Sequence, residues 1–341
     1  MIHRPMIPDF APHWLLRDGH SQTLAAVYLP QKKSVETATQ RIVALSDGDR
    51  IVLHDNAPSD WQPGGRVALL VHGLAGSHAS PYMRRIAAKL VDVGVRAFRI
   101  DLRTCGAGLK LARLPYHSGR SGDVREALFE ITRLCPGSPI ALLGFSMGAN
   151  IALKLAGEAP DSNPQELESI FAACPPVDLR RCVRHLQRGV GRLYDRYFAK
   201  LLLRHIDRWQ SVVPEAPRPT FSSIPRSIEE FDELFTGPVC GFGGSSAYYA
   251  ESSAAQYVPA IRVPTLIVGS NDDPMVSPEP LRDLDRPKEV QLHLTTGGGH
   301  MGFLGRSNGD PDRSWLDWRA VEWVLSHGET KKHESSEPER Q

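Results

Sequence analysis

The alternation of short apolar runs with amphipathic stretches constrains this chain more than any other feature. "RVALLVHG" (66–73), "VRAFRIDL" (95–102), "PIALLGF" (139–145) and "SIFAACP" (169–175) are near-continuous apolar segments of strand length. Between them lie "SPYMRRIAAKLVDVG" (80–94), "GDVREALFEITRL" (122–134) and "MGANIALKLAGEA" (147–159), with apolar residues at helical spacing. The first of these has Ser80 as N-cap, Pro81 in its first turn and Gly94 just past its end. Strands apolar on both faces and separated by helices build βαβ units, hence a parallel sheet covered on both sides. "RIVALSDGDRIVLHD" (41–55) adds an opening hairpin turning at Asp47-Gly48.

The rhythm lapses from about 176 to 260. It resumes with "PTLIVGS" (264–270), a helix from about 278, "EVQLHLTT" (289–296) and a last helix within 313–327. The predicted organisation is therefore an α/β core in two pieces, 1–175 and 261–327. A helical cap, 176–260, is inserted between late strands, and a polar tail, 328–341, reads as disordered. An insertion at that edge of an open sheet lies where ligands bind.

Net charge is +1 over 341 residues, so bulk charge points to neither nucleic acid nor an acidic partner. The five cysteines (Cys105, Cys135, Cys174, Cys182 and Cys240) form no CxxC pair, so no zinc site or disulfide framework is expected. A reducing compartment is the simpler reading. With no signal-type h-region and no apolar run of membrane-spanning length, the expected location is cytoplasmic.

"GFSMG" (144–148) fits G-x-S-x-G and sits between an apolar strand and a helix. A sharp turn there lifts the central Ser146 hydroxyl above the sheet edge, and the small flanking residues prevent clashes. Serine is a weak nucleophile and needs a base oriented by a carboxylate. His185 and His205 fall in arginine-rich helical sequence and read as surface, whereas His293 lies inside a strand. His300, in "TTGGGHMGF" (295–303), follows the last strand in a glycine loop that lets it approach Ser146. The carboxylate must lie between them at a strand end. Asp272 and Asp273 in "GSNDDPMVSPE" (269–279) do, while Asp178 reads as a helix cap. Asp273 precedes Pro274, which biases it toward extended geometry, and is taken as the partner of His300. Asp272 is expected to bond local backbone in the turn. Leu74 in "VHGLAGS" (71–77) and Met147 are the expected N–H donors of an oxyanion hole.

With these residues assembled, the chain resembles the α/β-hydrolases, and within them the YheT-type family of predicted esterases. The likeness runs through "FAPHWLLRDGHSQTL", "HGLAGSHASPYMRRIAAKL", "GFSMGAN", "CPPVDLRRCVRHLQRGVGRLYDRYF", "NDDPMV" and "GGHMGF". "IDLRTCGAG" departs from that family's "NFRGCSG"-like turn by Thr104 in place of glycine. The resemblance implies carboxylic-ester hydrolysis on short- to medium-chain, monoacylglycerol or phospholipid-like substrates, with no metal or organic cofactor. It also agrees on Asp273, the aspartate before proline. Acyl transfer on the same residues and a non-catalytic binding role are the alternatives.

Within the insertion, basic residues recur every fourth position from Arg180 to Arg208. Such a row drifts about 40° per step on a helix and is no flat face. Gly189 and Gly191 are expected to break it into two helices. Solvated cap helices are the plainer reading, and a weak peripheral contact with anionic lipid the other. Tyr248 and Tyr249 either line an acyl pocket or belong to a cap loop.

Overall fold

The computed structural model describes residues 7–28, 35, 37–219, 221, 223–306 and 309–327. The polar tail 328–341 lies outside them.

Among the described residues, eight strands form one sheet in the order β1-β2-β4-β3-β5-β6-β7-β8. They are β1 (Thr39–Ala44), β2 (Arg50–Asn56), β3 (Val67–Val71), β4 (Arg96–Asp101), β5 (Ile140–Phe145), β6 (Leu167–Ala173), β7 (Thr265–Ser270) and β8 (Val290–Thr295). The hairpin β1-β2 pairs antiparallel, β2 joins β4 antiparallel, and every other pairing is parallel.

The helices are α1 (Gly19–Tyr28), α2 (Pro81–Asp92), α3 (Ser121–Leu134), α4 (Met147–Glu158), α5 (Leu179–Leu186), α6 (Gly191–Gln210), α7 (Ile228–Phe231), α8 (Gly237–Val239), α9 (Ser245–Ser252), α10 (Glu279–Arg282) and α11 (Trp315–Ser326). A π-helical turn, Asp232–Thr236, joins α7 to α8. Helices α5 to α9 lie between β6 and β7 in the chain. The helix expected from 278 is a single turn, and α1 has no counterpart among the expected elements. Ser80 stands at the N-cap position of α2 but makes no side-chain cap; its Oγ instead accepts the Ser77 N–H at 3.1 Å.

Alternation along the strands explains why both faces are covered. In β3, Val67, Leu69 and Val71 join the core beneath α3 and α4, with Val124, Leu128 and Ile151. Ala68 and Leu70 point the other way, into the core of Met83, Ile86, Trp315 and Val321 from α2 and α11. The inserted helices bury their own clusters, one around Trp209 and Phe235 and one around Val183 and Tyr248. Leu74 packs against both. No helix among the described residues is long and apolar enough to cross a membrane.

Helices α2 and α11 are also tied by charge. Asp317 is bonded by the Arg85 guanidinium, with Nη2 at 3.0 Å, and by Lys89 Nζ at 3.0 Å. All three side chains are almost wholly buried. Removing one partner of a buried pair leaves an uncompensated charge, at about 3–5 kcal/mol. Asp317→Ala is therefore expected to lower the urea unfolding free energy by about that amount; a loss under about 1 kcal/mol would show that the network is dispensable.

Candidate active site

The turn after β5 holds Ser146 at φ 53°, ψ −120°, a left-handed conformation costly for a residue with a Cβ. It is fixed by the Ser146 N–H, which donates to Ala173 O at 2.8 Å. Glycine is required on both sides. A Cβ at Gly144 would strike the backbone of Gly148 and Ala149, and one at Gly148 the carbonyls of Val71 and His72. The Ser146 hydroxyl faces the cavity.

Four strand ends converge here. His300, after β8, puts Nε2 2.9 Å from Ser146 Oγ. Its Nδ1 lies 2.8 Å from Oδ2 of Asp273, which follows β7. Asp273 Oδ1 accepts the N–H groups of Met275 and Val276 at 2.8 and 2.9 Å. One oxygen thus caps the turn and the other faces His300, so turn capping and the bond to histidine are not exclusive.

Asp272 differs from expectation. Its Oδ1 accepts the distant Gly299 N–H at 2.8 Å as well as the nearby Ser270 hydroxyl, so it staples the His300 loop to its own turn and bonds no local backbone N–H. The reason for the loop's glycines also differs. Gly299, at φ +58°, has no room for a Cβ because Gly19 O and Thr23 Oγ1 press against it. The approach that demands glycine is to α1, not to Ser146. Thr23 Oγ1 accepts the His300 N–H at 2.8 Å, and Gln22 pairs its amide with both backbone groups of Leu304. Sequence reasoning missed α1 as part of the site. The signal for it lies in "GHSQT" (19–23), where a glycine precedes two hydrogen-bonding side chains, Gln22 and Thr23.

The loop after β3 is held open by tyrosines. Gly73 N–H donates to Tyr82 OH at 2.9 Å and Ala75 N–H to Tyr116 OH at 3.0 Å. Burial pushes the Tyr82 phenol up to about 12, so it stays protonated. Between these anchored amides lies Leu74. His72 adds a brace, with Nδ1 2.8 Å from Gly73 O while Nε2 accepts Leu102 N–H. Met147 begins α4 directly after Ser146.

A cavity of about 390 Å3 opens from Ser146 beneath the inserted helices, within the roughly 300–1,000 Å3 usual for small-molecule sites. Leu74, Leu179, Leu202, Phe231, Phe235 and Met275 give it an apolar wall. Tyr248 and Tyr249 line it as well. His205 is not a surface group. It lines the cavity and bonds Thr104 Oγ1 through Nε2 at 2.9 Å, and burial pushes its ring down to about 4. Thr104, the departure from the family pattern, sits at φ 60°. Asp232, in the π turn, is buried in the cavity wall. It accepts from Thr236 Oγ1 at 2.7 Å and Tyr249 OH at 2.8 Å, and burial raises its carboxyl to about 7.

Two groups of described residues bring three potential metal donors together: His54, His78 and Asp101, and Cys174, Asp273 and His300. In the first, the two imidazoles stack 3.4 Å apart at 11°, so one ion cannot lie in both ring planes; both instead bond Asp101 Oδ2. In the second, burial and then the Asp273 charge push the Cys174 thiol well up, away from the thiolate a metal needs.

The family model described as the alpha/beta hydrolase fold matches residues 67–307. The Escherichia coli protein YheT, whose name carries a proposed esterase activity, is 28% identical over 327 residues, 95% of each chain. A medium-chain fatty acid ethyl ester synthase/esterase of Saccharomyces cerevisiae is 27% identical over 288 residues, covering 77% of this chain and 62% of the yeast protein. Among solved structures, Est1E from Butyrivibrio proteoclasticus with ferulic acid bound superposes with a TM-score of 0.55 at 13% identity, over 84% of this chain and 98% of that one. That likeness is one of fold.

Asp232 generates a pH prediction. Its folded pKa, about 7, exceeds the ordinary 3.8, so the folded state holds a proton the unfolded state has released. The stability from this proton is complete below about 3.8 and lost as pH rises through about 7. Wild-type Tm should fall between pH 4 and pH 8 by more than that of Asp232→Asn. Parallel Tm curves would rule out a buried neutral acid.

Proposed function

The chain belongs to the α/β-hydrolase fold family as a carboxylic ester hydrolase, and on that premise we propose a Ser-His-Asp mechanism acting on short- to medium-chain acyl esters. The observation that carries the reading is the unbroken line from Asp273 Oδ2 through His300 to Ser146 Oγ, at 2.8 and 2.9 Å. A carboxylate only accepts, so Nδ1 carries the ring proton and Nε2 offers its lone pair to the serine hydroxyl. Ser146 attacks the ester carbonyl as His300 takes its proton. His300 then returns that proton to the leaving alcohol and activates water to release the acyl group. The N–H groups of Leu74 and Met147 hold the oxyanion, with the first kept in place by the Tyr82 and Tyr116 anchors on either side of it. In this scheme residues 176–260 act as a cap, and its apolar cavity receives the acyl chain.

The yeast relative's name pairs ester synthesis with hydrolysis, which favours acyl transfer to an alcohol as the second reading. Adding ethanol to the assay separates the two, since ethyl ester forms only if alcohol competes with water for the acyl group.

Two experiments test the mechanism. A fluorophosphonate probe should label the intact protein and leave Ser146→Ala unlabelled; equal labelling of both would sink the serine-hydrolase reading and leave a binding role. Kinetics on p-nitrophenyl esters of increasing chain length should separate the neighbouring aspartates. Asp273→Asn is expected to lower kcat by about 10^3–10^4-fold, through the wrong His300 tautomer. Asp272→Asn keeps an acceptor for Gly299 N–H and should stay within about tenfold of wild type, since it alters positioning and not proton transfer. Reversed effects would overturn the assignment.

A further inference from the structure

Eight of the twelve exposed large apolar side chains among the described residues fall on two short segments. Trp14, Leu15, Leu24, Val27 and Tyr28 belong to the N-terminal arm, where the last three stand at i, i+3 and i+4 of α1, exposed by 47%, 59% and 73%. Val190, Leu193 and Tyr197, exposed by 53%, 65% and 51%, mark the start of α6. The two segments meet: His20 Nδ1 lies 2.9 Å from Tyr194 OH, with the rings parallel. Val27 and Tyr197 also line the cavity, so the apolar surface runs into the mouth of the proposed active site. Single exposed apolar residues need no explanation, but a cluster at a pocket mouth does.

The charge on α6 says what covers it. Taking 100° per residue, Arg192, Arg196, Lys200 and Arg204 fall with Val190, Leu193 and Tyr197 inside an arc of about 160°. All four basic residues are exposed. The lone acid between 187 and 206, Asp195, is buried and accepts the Ile228 N–H at 2.7 Å. This basic face is local, because the chain as a whole carries +1. On this arc four exposed cations face one exposed acid, Asp207, near the end of the helix. Apolar side chains interleaved with such an excess of cations suit the headgroup region of an anionic bilayer, where rings and aliphatic groups enter the interface and guanidiniums meet phosphates.

We infer that the N-terminal arm and the first turns of α6 together form a docking surface for an anionic phospholipid bilayer, and that this surface seats the cavity mouth against the membrane. The inference extends the hydrolase reading above, and rests on it only for the purpose of docking. The face concerned is narrower than the basic row of the sequence, which winds round two helices. It also includes α1, which carries none of that row.

The test is co-sedimentation of the full chain with vesicles of phosphatidylcholine alone, or of phosphatidylcholine and phosphatidylglycerol in equal parts. Two double variants are compared: Arg192→Glu with Arg196→Glu, and Val190→Ser with Leu193→Ser. Wild type should bind the mixed vesicles, and lose about tenfold or more in affinity at high salt or on phosphatidylcholine alone. Each double variant should lose a similar factor while keeping wild-type Tm and wild-type kcat/KM on a soluble p-nitrophenyl ester. The docking surface is refuted if wild type ignores the mixed vesicles, or if folded variants bind as well as wild type. It is equally refuted if the same substitutions instead abolish self-association in sedimentation velocity. Vesicle binding by a protein inactive on every soluble ester would refute the hydrolase mechanism and leave the docking surface standing.

Discussion

The parallel register running from β3 to β8 is the constraint on which everything else rests. Parallel strands all end on one edge, so residues that follow β3, β5, β7 and β8 meet there despite separations of up to 226 positions between Leu74 and His300. No long loop is needed to gather Leu74, Ser146, Asp273 and His300. Each needs only a turn after a strand that is clamped on both faces by a core. That is why the group can be held at hydrogen-bonding distance before any ligand arrives.

Holding the turns costs backbone strain. Among the described residues, six other than glycine have positive φ: Ala75, Thr104, Ser146, Cys174, Met301 and Phe303. Several stand beside the candidate site, and each such conformation costs about 1–3 kcal/mol. They persist because neighbours over-determine them. Ser146 and Cys174 donate their N–H groups to Ala173 O and Val268 O, Thr104 bonds His205, and Phe303 N–H reaches Gly298 O. The two apolar cores reach these turns directly, with Met147 in one and Phe145, Cys174 and Phe303 in the other, so their packing helps to hold the strained conformations.

The inserted helices and the N-terminal arm complete the site in different ways. The insertion supplies an apolar roof and a few buried polar groups, with Asp232 accepting from both Tyr249 and Thr236. The arm touches the His300 loop directly, through Thr23 and Gln22, and reaches the insertion through His20. Roof, His300 loop and arm are therefore joined to one another. A surface event at the arm or at α6 is a short distance from the residues proposed to transfer protons.

By itself the sequence determined what local spacing can determine. The strands, the hairpin, the long helices between the core strands and the small-residue turn at Ser146 follow from periodicity and turn chemistry over a few residues. The same spacing could nominate His300 and Asp273 as strand-end residues, since both stand directly after apolar runs. Only the tertiary structure decided relations between distant segments. The buried side of α1 carries Gly19, Gln22 and Thr23 and no apolar stripe, and its value to the site lies in the close approach of Gly19 to Asp272 and Gly299, which no local pattern encodes. Asp272 looks like a turn residue until Gly299 N–H is brought to it, and His205 looks like surface until the insertion folds over Thr104. Asp232 is one acid among several in its segment until burial keeps its proton on. In each case the deciding term is desolvation or a long-range hydrogen bond, and both come into being only when the chain closes on itself.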